Sequence, residues 1–137
     1  MSETPPIYDT SRNPLLVDSD ILINHLTGRN TGLLPSLKNT ADLHISVLTE
    51  YEVLISIQDQ GILDSVINFL NFFEKLPVTE AISRKASEIA KSSKPIQSAL
   101  KPMDVLIAAT CAVHKMPLVT NNKKHFKQIT DIELYQI

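Results

Sequence analysis

Carboxylates recur at three places in this chain where an apolar run gives way to a helical pattern. The first stretch, residues 15–23, reads LLVDSDILI and holds Asp18 and Asp20 one residue apart. Its opening LLV is a short apolar run suited to a strand buried on both faces of a parallel sheet. Asp18 therefore falls at the carboxyl end of a central strand, where open α/β sheets place their ligand crevice. A carboxylate ending a buried strand needs a partner. The second place is ISVLTEYEVL, which sets Glu50 or Glu52 just behind a strand-like segment, and apolar spacing in this helix does not separate the two. The third is LKPMDVLIAA, where Pro102 suits a first helical turn and Asp104 lies inside that turn.

In a parallel sheet these strand ends all lie on one side, so the acids would gather. Two unit charges about 4 Å apart repel by about 4 kcal/mol at an effective dielectric near 20. Either some stay protonated or a divalent cation joins them, and hard oxygen donors without His or Cys favour Mg2+ or Mn2+ over zinc. Each acid also has a local structural role open to it. Asp20 suits a helix N-cap, Glu52 could close a capping box with Thr49, and Asp104 would favour the positive end of its helix. The segment ending in Thr120, Asn121 and Asn122 reaches the same side of the sheet, and Lys123, Lys124 and Lys127 form a small basic cluster beyond it. That cluster is read either as a solvated helix face or as a contact to the phosphates of a polyanion, the latter implying salt-sensitive binding. His114 and His125 read as surface or packing residues, and Cys111, in an apolar helical stretch, as non-catalytic.

The elements that must position these acids follow from the pattern. Helices are expected from about residue 19, over 33–38, 47–58, 62–75, 80–91 and 102–115, with Ser46 and Thr79 as N-caps. Strands are expected at 15–17, 43–47, 76–79, 117–120 and 132–135, with the 76–79 segment near an edge because of Pro77. The GRNTG cluster at 28–32 is a turn, and 92–100 reads as a loop across the mouth of the sheet. Alternating strands and helices argue for an α/β fold with a parallel sheet and helices on both faces.

The 137 residues suit one domain, with residues 1–13 as a loosely held polar arm and 14–137 as the folded unit. The arm has no basic start or apolar segment of the secretory type, no apolar run is long enough to span a bilayer, and a lone cysteine fits a reducing cytoplasm. A net charge of −2 carries no overall nucleic-acid signature, so any polyanion must be handled locally or through a metal.

Taken in order, LLVDSDILI, ISVLTEYEVL, LKPMDVLIAATCAVHKMPLVTNN and the following KKHF resemble the successive motifs of PIN-domain nucleases, especially the VapC toxins of toxin-antitoxin pairs. The resemblance runs from Leu15 to the C-terminus and implies a PIN-like three-layer α/β/α fold. It implies that Asp18, Glu52 and Asp104 are the family acids, holding Mg2+ or Mn2+ for hydrolysis of an RNA phosphodiester, and this match is what selects Glu52 over Glu50. Ser19 and Thr120 match hydroxyls that hold the acids or a water. Asn122 falls where many PIN domains carry a fourth aspartate; others have Asn there with an acid three residues on, a position that is His125 here. The resemblance further implies a homodimer and a VapB-like antitoxin, with Ile62, Val66 and Phe69 among the residues that could supply such surfaces. Two rivals stand beside it: a degenerate PIN-like module that only binds RNA or protein, and a haloacid-dehalogenase-type phosphatase using the Asp-x-Asp motif.

Overall fold

A computed structural model of the protein describes residues 13–92 and 100–137. The expected arm at 1–13 lies almost wholly outside the described residues, as does most of the expected loop at 92–100.

Four strands, β1 (Asn13–Val17), β2 (Ala41–Ser46), β3 (Glu74–Leu76) and β4 (Leu118–Val119), form one sheet in the order β3-β2-β1-β4. Every pairing is parallel, with Leu16 opposite both His44 and Leu118, and His44 opposite Glu74. The helices are α1 (Ser19–Leu26), α2 (Leu33–Lys38), α3 (Val47–Ser56), α4 (Leu63–Leu70), α5 (Glu80–Ser92), α6 (Pro102–His114) and α7 (Lys123–Phe126).

Burial on both faces explains why β1 is apolar throughout its core. Leu15 and Val17 pack into a cluster with Ile21, Leu22, Val53 and Leu70 from α1, α3 and α4. Leu16, pointing the other way, joins Ile82, Ile89, Ile107 and Phe126 from α5, α6 and α7. The alternation of successive side chains therefore feeds two helix layers, giving the expected three-layer α/β/α arrangement.

The strand order also fixes where a site can form. From β1 the chain steps outward through β2 to β3, then returns to the other side of β1 for β4. The gap between β1 and β4 is thus a topological switch point, where connections leave to opposite faces and a crevice opens beyond the strand ends.

Two expectations at the sheet edge need correction. The helix expected over 62–75 ends at Leu70, and β3 occupies Glu74–Leu76 rather than 76–79. Pro77 accounts for both, since it forces the preceding residue toward an extended backbone and lacks the N–H needed to pair further. Phe73, counted as helical from its spacing, instead packs into the core from the turn between α4 and β3. The edge position itself holds. The final strand at 132–135 contracts to a single parallel bridge between Leu118 and Leu134, with Leu118 N–H donating to Glu133 O at 2.9 Å and Tyr135 N–H to Leu118 O at 2.8 Å.

Candidate active site

The carboxyl ends of β1 and β4 bring the first acid and the threonine together. Asp18 N–H still belongs to the sheet, donating to Val119 O at 2.9 Å. The Asp18 side chain then turns into α1 as its N-cap: Oδ1 accepts Ser19 N–H at 2.9 Å. Its other oxygen accepts the Thr120 hydroxyl at 2.8 Å, and Thr120 Oγ1 accepts Asn122 N–H at 3.0 Å. Both Asp18 and Thr120 are buried.

Asp20 departs from its expected role. The N-cap is Asp18, two residues earlier, and Asp20 lies inside the first helical turn. From there its Oδ2 accepts Asn121 N–H at 3.0 Å and approaches the Thr120 hydroxyl at 3.3 Å, while its Oδ1 is buried without a hydrogen-bond partner among the described residues.

On α3, Ser46 Oγ accepts Leu48 N–H at 3.0 Å and caps the helix as expected. The Thr49–Glu52 capping box does not form, because Thr49 already lies within the helix, its hydroxyl buried and unpaired. The structure separates the two glutamates. Glu50 pairs with Lys75 on the sheet edge at 3.1 Å. Glu52 faces the acids, where the Ser19 hydroxyl hydrogen-bonds it and the charges of Asp104, Asp20 and Lys101 act on it. Asp104 is the third residue of α6 and accepts Lys101 N–H at a long 3.4 Å, so part of its role is to close the helix start.

Electrostatics follow from this crowding. Desolvation, reinforced by the Asp20 charge, pushes the Asp18 carboxyl up to about 7 against hydrogen bonds from Thr120 and Ser19 that pull it down. Burial likewise raises Asp20, opposed by the Asn121 hydrogen bond. Glu52 is raised by burial and by Asp104, and the Ser19 hydrogen bond and the Lys101 ammonium oppose the shift. One cation thus faces a group of acids that the fold holds partly dehydrated.

The donor set of Asp18, Glu52 and Asp104 suits a hard divalent cation: carboxylate oxygens, two of them on groups that burial leaves partly dehydrated, and no thiolate. Among the described residues, no three His, Cys, Asp or Glu side chains stand close enough together to hold a metal ion between them as they are placed here. The acids rim the switch point rather than enclose one spot. Cys111, buried on the α6 side, has its thiol pushed up by desolvation and by the nearby Asp18 charge, which fits its non-catalytic reading. An apolar cavity of about 480 Å3 between α5 and α6, lined by Ala86, Leu100, Val105 and Leu106 among others, includes none of the acids.

Beyond β4, Asn122 Nδ2 lies 2.8 Å from His125 Nδ1, and fully buried Phe126 seats α7 on the core. Lys124 and Lys127 are exposed and Lys123 half-buried on that helix end. His114 is exposed at the far end of α6, away from the acids' end of that helix.

A parallel sheet of this order with a buried acid at its switch point defines an α/β class with a strand-end site, and the sequence comparison narrows it to a family. Residues 15–132 match the PIN domain model, and the chain belongs to the PIN domain family. That assignment sets aside the phosphatase alternative. Among its relatives, the chain is 31% identical over 121 residues to Ribonuclease VapC10 of Mycobacterium tuberculosis, covering 87% of this chain and 90% of the relative. It is similar in structure to a chain of a toxin-antitoxin complex from Klebsiella pneumoniae, with TM-score 0.74, 25% identity and coverage of 90% and 99%. It is also similar to a chain of a DNA-bound VapBC from Salmonella typhimurium, with TM-score 0.79, 20% identity and coverage of 90% and 97%. The protein is a VapC-like member of the family.

Two residues of the site escaped sequence reasoning. Lys101 lies within the LKPMDVLIAA stretch but was given no role there. Asp20 was visible in the Asp-x-Asp spacing, but its long-range partners were not.

Proposed function

We propose that the protein is a divalent-metal-dependent endoribonuclease that hydrolyses RNA phosphodiester bonds and serves as the toxin of a VapBC-type pair. The observation that supports this reading is a buried Asp18 at the end of β1 in a PIN domain, with the charge of Glu52 acting on it and that of Asp104 acting in turn on Glu52. The name of the relative VapC10 supports RNA as the substrate.

Asp18, Glu52 and Asp104 are the residues that would hold Mg2+ or Mn2+. When bound, such an ion supplies activation of the attacking water and offsets charge that develops on the phosphoryl oxygens. The protein's own contribution is to fix the donors: Ser19 N–H and the Thr120 hydroxyl orient Asp18, and the Ser19 hydroxyl orients Glu52. Asn122 anchors the hydroxyl through its backbone N–H and stands in place of a fourth acid. Lys101 offers a positive charge beside Glu52, and Lys123, Lys124 and Lys127 contact RNA phosphates at the exit of β4.

A VapB-like antitoxin is the protein partner, supported by the toxin-antitoxin complex among the structural neighbours. The chain also pairs with a second copy. Among the exposed apolar residues are Val47, Tyr51 and Ile55, spaced by four along α3, and Ile62, whereas Val66 is buried and Phe69 packs against the core. No helix among the described residues is long and apolar enough to cross a membrane, and the reading places the protein in the cytoplasm.

The test is cleavage of a mixed structured RNA pool by purified protein with Mg2+ or Mn2+, beside EDTA and Asp104→Asn controls. Cleavage that needs both the metal and Asp104 is expected. Absence of cleavage, with no metal-induced rise in Tm, would replace this reading with a PIN-like binding module.

A further inference from the structure

We infer that Asp20 is a positioning residue for the proposed nuclease reaction, locking the exit of β4 to the first turn of α1 so that the Thr120 hydroxyl stays on Asp18. The inference rests on the nuclease reading for its catalytic consequence and on the hydrogen-bond geometry at residues 18–20 and 120–122 for the lock itself. β4 is two residues long, and its last sheet bond to β1 is Asp18 N–H to Val119 O. Residues 120–122 lie beyond that ladder. What ties their backbone to the α1 side is Asp20 Oδ2 accepting Asn121 N–H at 3.0 Å, a contact across 101 positions in sequence.

The hydroxyl geometry gives the lock its purpose. Thr120 Oγ1 has one proton and two carboxylates in reach, at 2.8 Å on Asp18 and 3.3 Å on Asp20, and its lone pair accepts Asn122 N–H. With both N–H groups of the turn occupied, the hydroxyl can point only toward the acids, and the shorter approach selects Asp18. Release of Asn121 would let residues 120–122 rotate and the hydroxyl leave Asp18. The lock is an acceptor function and does not need a negative charge. An amide oxygen at position 20 can fill it; a methyl group cannot.

The experiment compares Asp20→Ala, Asp20→Ser and Asp20→Asn with wild type by two readouts. Amide exchange of Asn121 and Asn122, followed by NMR in metal-free protein, reports the lock without RNA or metal. Steady-state cleavage of a single RNA oligonucleotide reports its consequence. We expect Asp20→Ala to speed Asn121 exchange by about tenfold and to lower kcat by about 10- to 100-fold, the range for losing a residue that orients a functional group. KM should change less than about twofold, and Asp20→Asn should restore both readouts to within about threefold of wild type. Asp20→Ser, too short to span to Asn121, should behave like Asp20→Ala and serves in its place if the alanine variant does not fold. Unchanged Asn121 exchange in the alanine and serine variants would overturn the lock. An Asp20→Asn variant as inactive as Asp20→Ala would also overturn it, because charge rather than position would then be required. Wild-type protein that cleaves no RNA would refute the nuclease reading and the catalytic half of this inference, while the exchange result would still decide the lock.

Discussion

Replacing the first acid of the site, Asp18→Asn, should stabilise the metal-free protein above neutral pH while removing its activity. Asp18 is buried at 7% exposure, and its carboxyl is raised from 3.8 to about 7, first by desolvation and then by the Asp20 charge. A folded value above the unfolded one means that the fold favours the protonated acid. The associated stability is fully present below the unfolded value and is lost as pH rises through the folded value. Raising the carboxyl from 3.8 to about 7 is worth about 4 kcal/mol in full, a loss that begins near the unfolded value and is nearly complete by about pH 8. Asp20 and Glu52 are raised in the same direction and steepen the loss. Asparagine keeps an oxygen for Ser19 N–H or Thr120 and carries no charge to desolvate, so its stability should vary less with pH. Between about pH 5 and about pH 8 the loss is about 3 kcal/mol, which for a domain of this size corresponds to roughly 10 °C in Tm. The assay is thermal melting in the presence of chelator at about pH 5 and about pH 8. Wild type should melt markedly lower at the higher pH, and Asp18→Asn should melt above wild type there. Equal melting of wild type at both pH values, or an Asp18→Asn variant no more stable than wild type at about pH 8, would refute the account of a penalised carboxylate.

Other perturbations separate the parts of the site. Glu52→Gln should reduce RNA cleavage by about 10- to 100-fold or more, whereas Glu50→Gln, which disturbs only the half-exposed pair with Lys75, should leave it within about twofold. Replacing Lys123, Lys124 and Lys127 together with alanine should reduce the slope of log affinity against log salt for single-stranded RNA by about two, as expected for three lost phosphate contacts; an unchanged slope would return α7 to a solvated face. Phe126→Ala should cost about 3 to 5 kcal/mol in denaturant unfolding, since this ring is fully buried and seats α7.

How far the sequence carried the fold depends on the range of the interactions involved. β1, the start of α6 at Pro102 and the caps at Ser46 and Thr79 rest on patterns within a few residues, and the structure has them where the patterns put them. The end of α4 was misplaced because the apolar spacing continues to Phe73, while pairing with β2 and the constraint of Pro77 decide where the backbone extends. Glu50 and Glu52, two residues apart on a helix, point about 200° from each other. Which one faces the acids is settled by the position of β3, whose Lys75 takes Glu50. Asp20 was misread for a related reason. Its preference for a helix start is local and visible, but the N–H it accepts belongs to Asn121, just past a strand that arrives only after the chain has crossed the sheet. Site residues held by long-range contacts are legible as types but not as roles.

The central claim is that the switch-point acids hold the divalent cation on which RNA cleavage depends. Its most direct test is calorimetric titration of Mn2+ into metal-free protein at about pH 6, in two buffers of different ionisation enthalpy, with Asp18→Asn in parallel. The account predicts saturable binding accompanied by proton release, because Asp18 is raised to about 7 and must ionise to bind, and loss of that release in Asp18→Asn. No binding of Mn2+ by wild type, together with RNA cleavage that persists in EDTA, would contradict it.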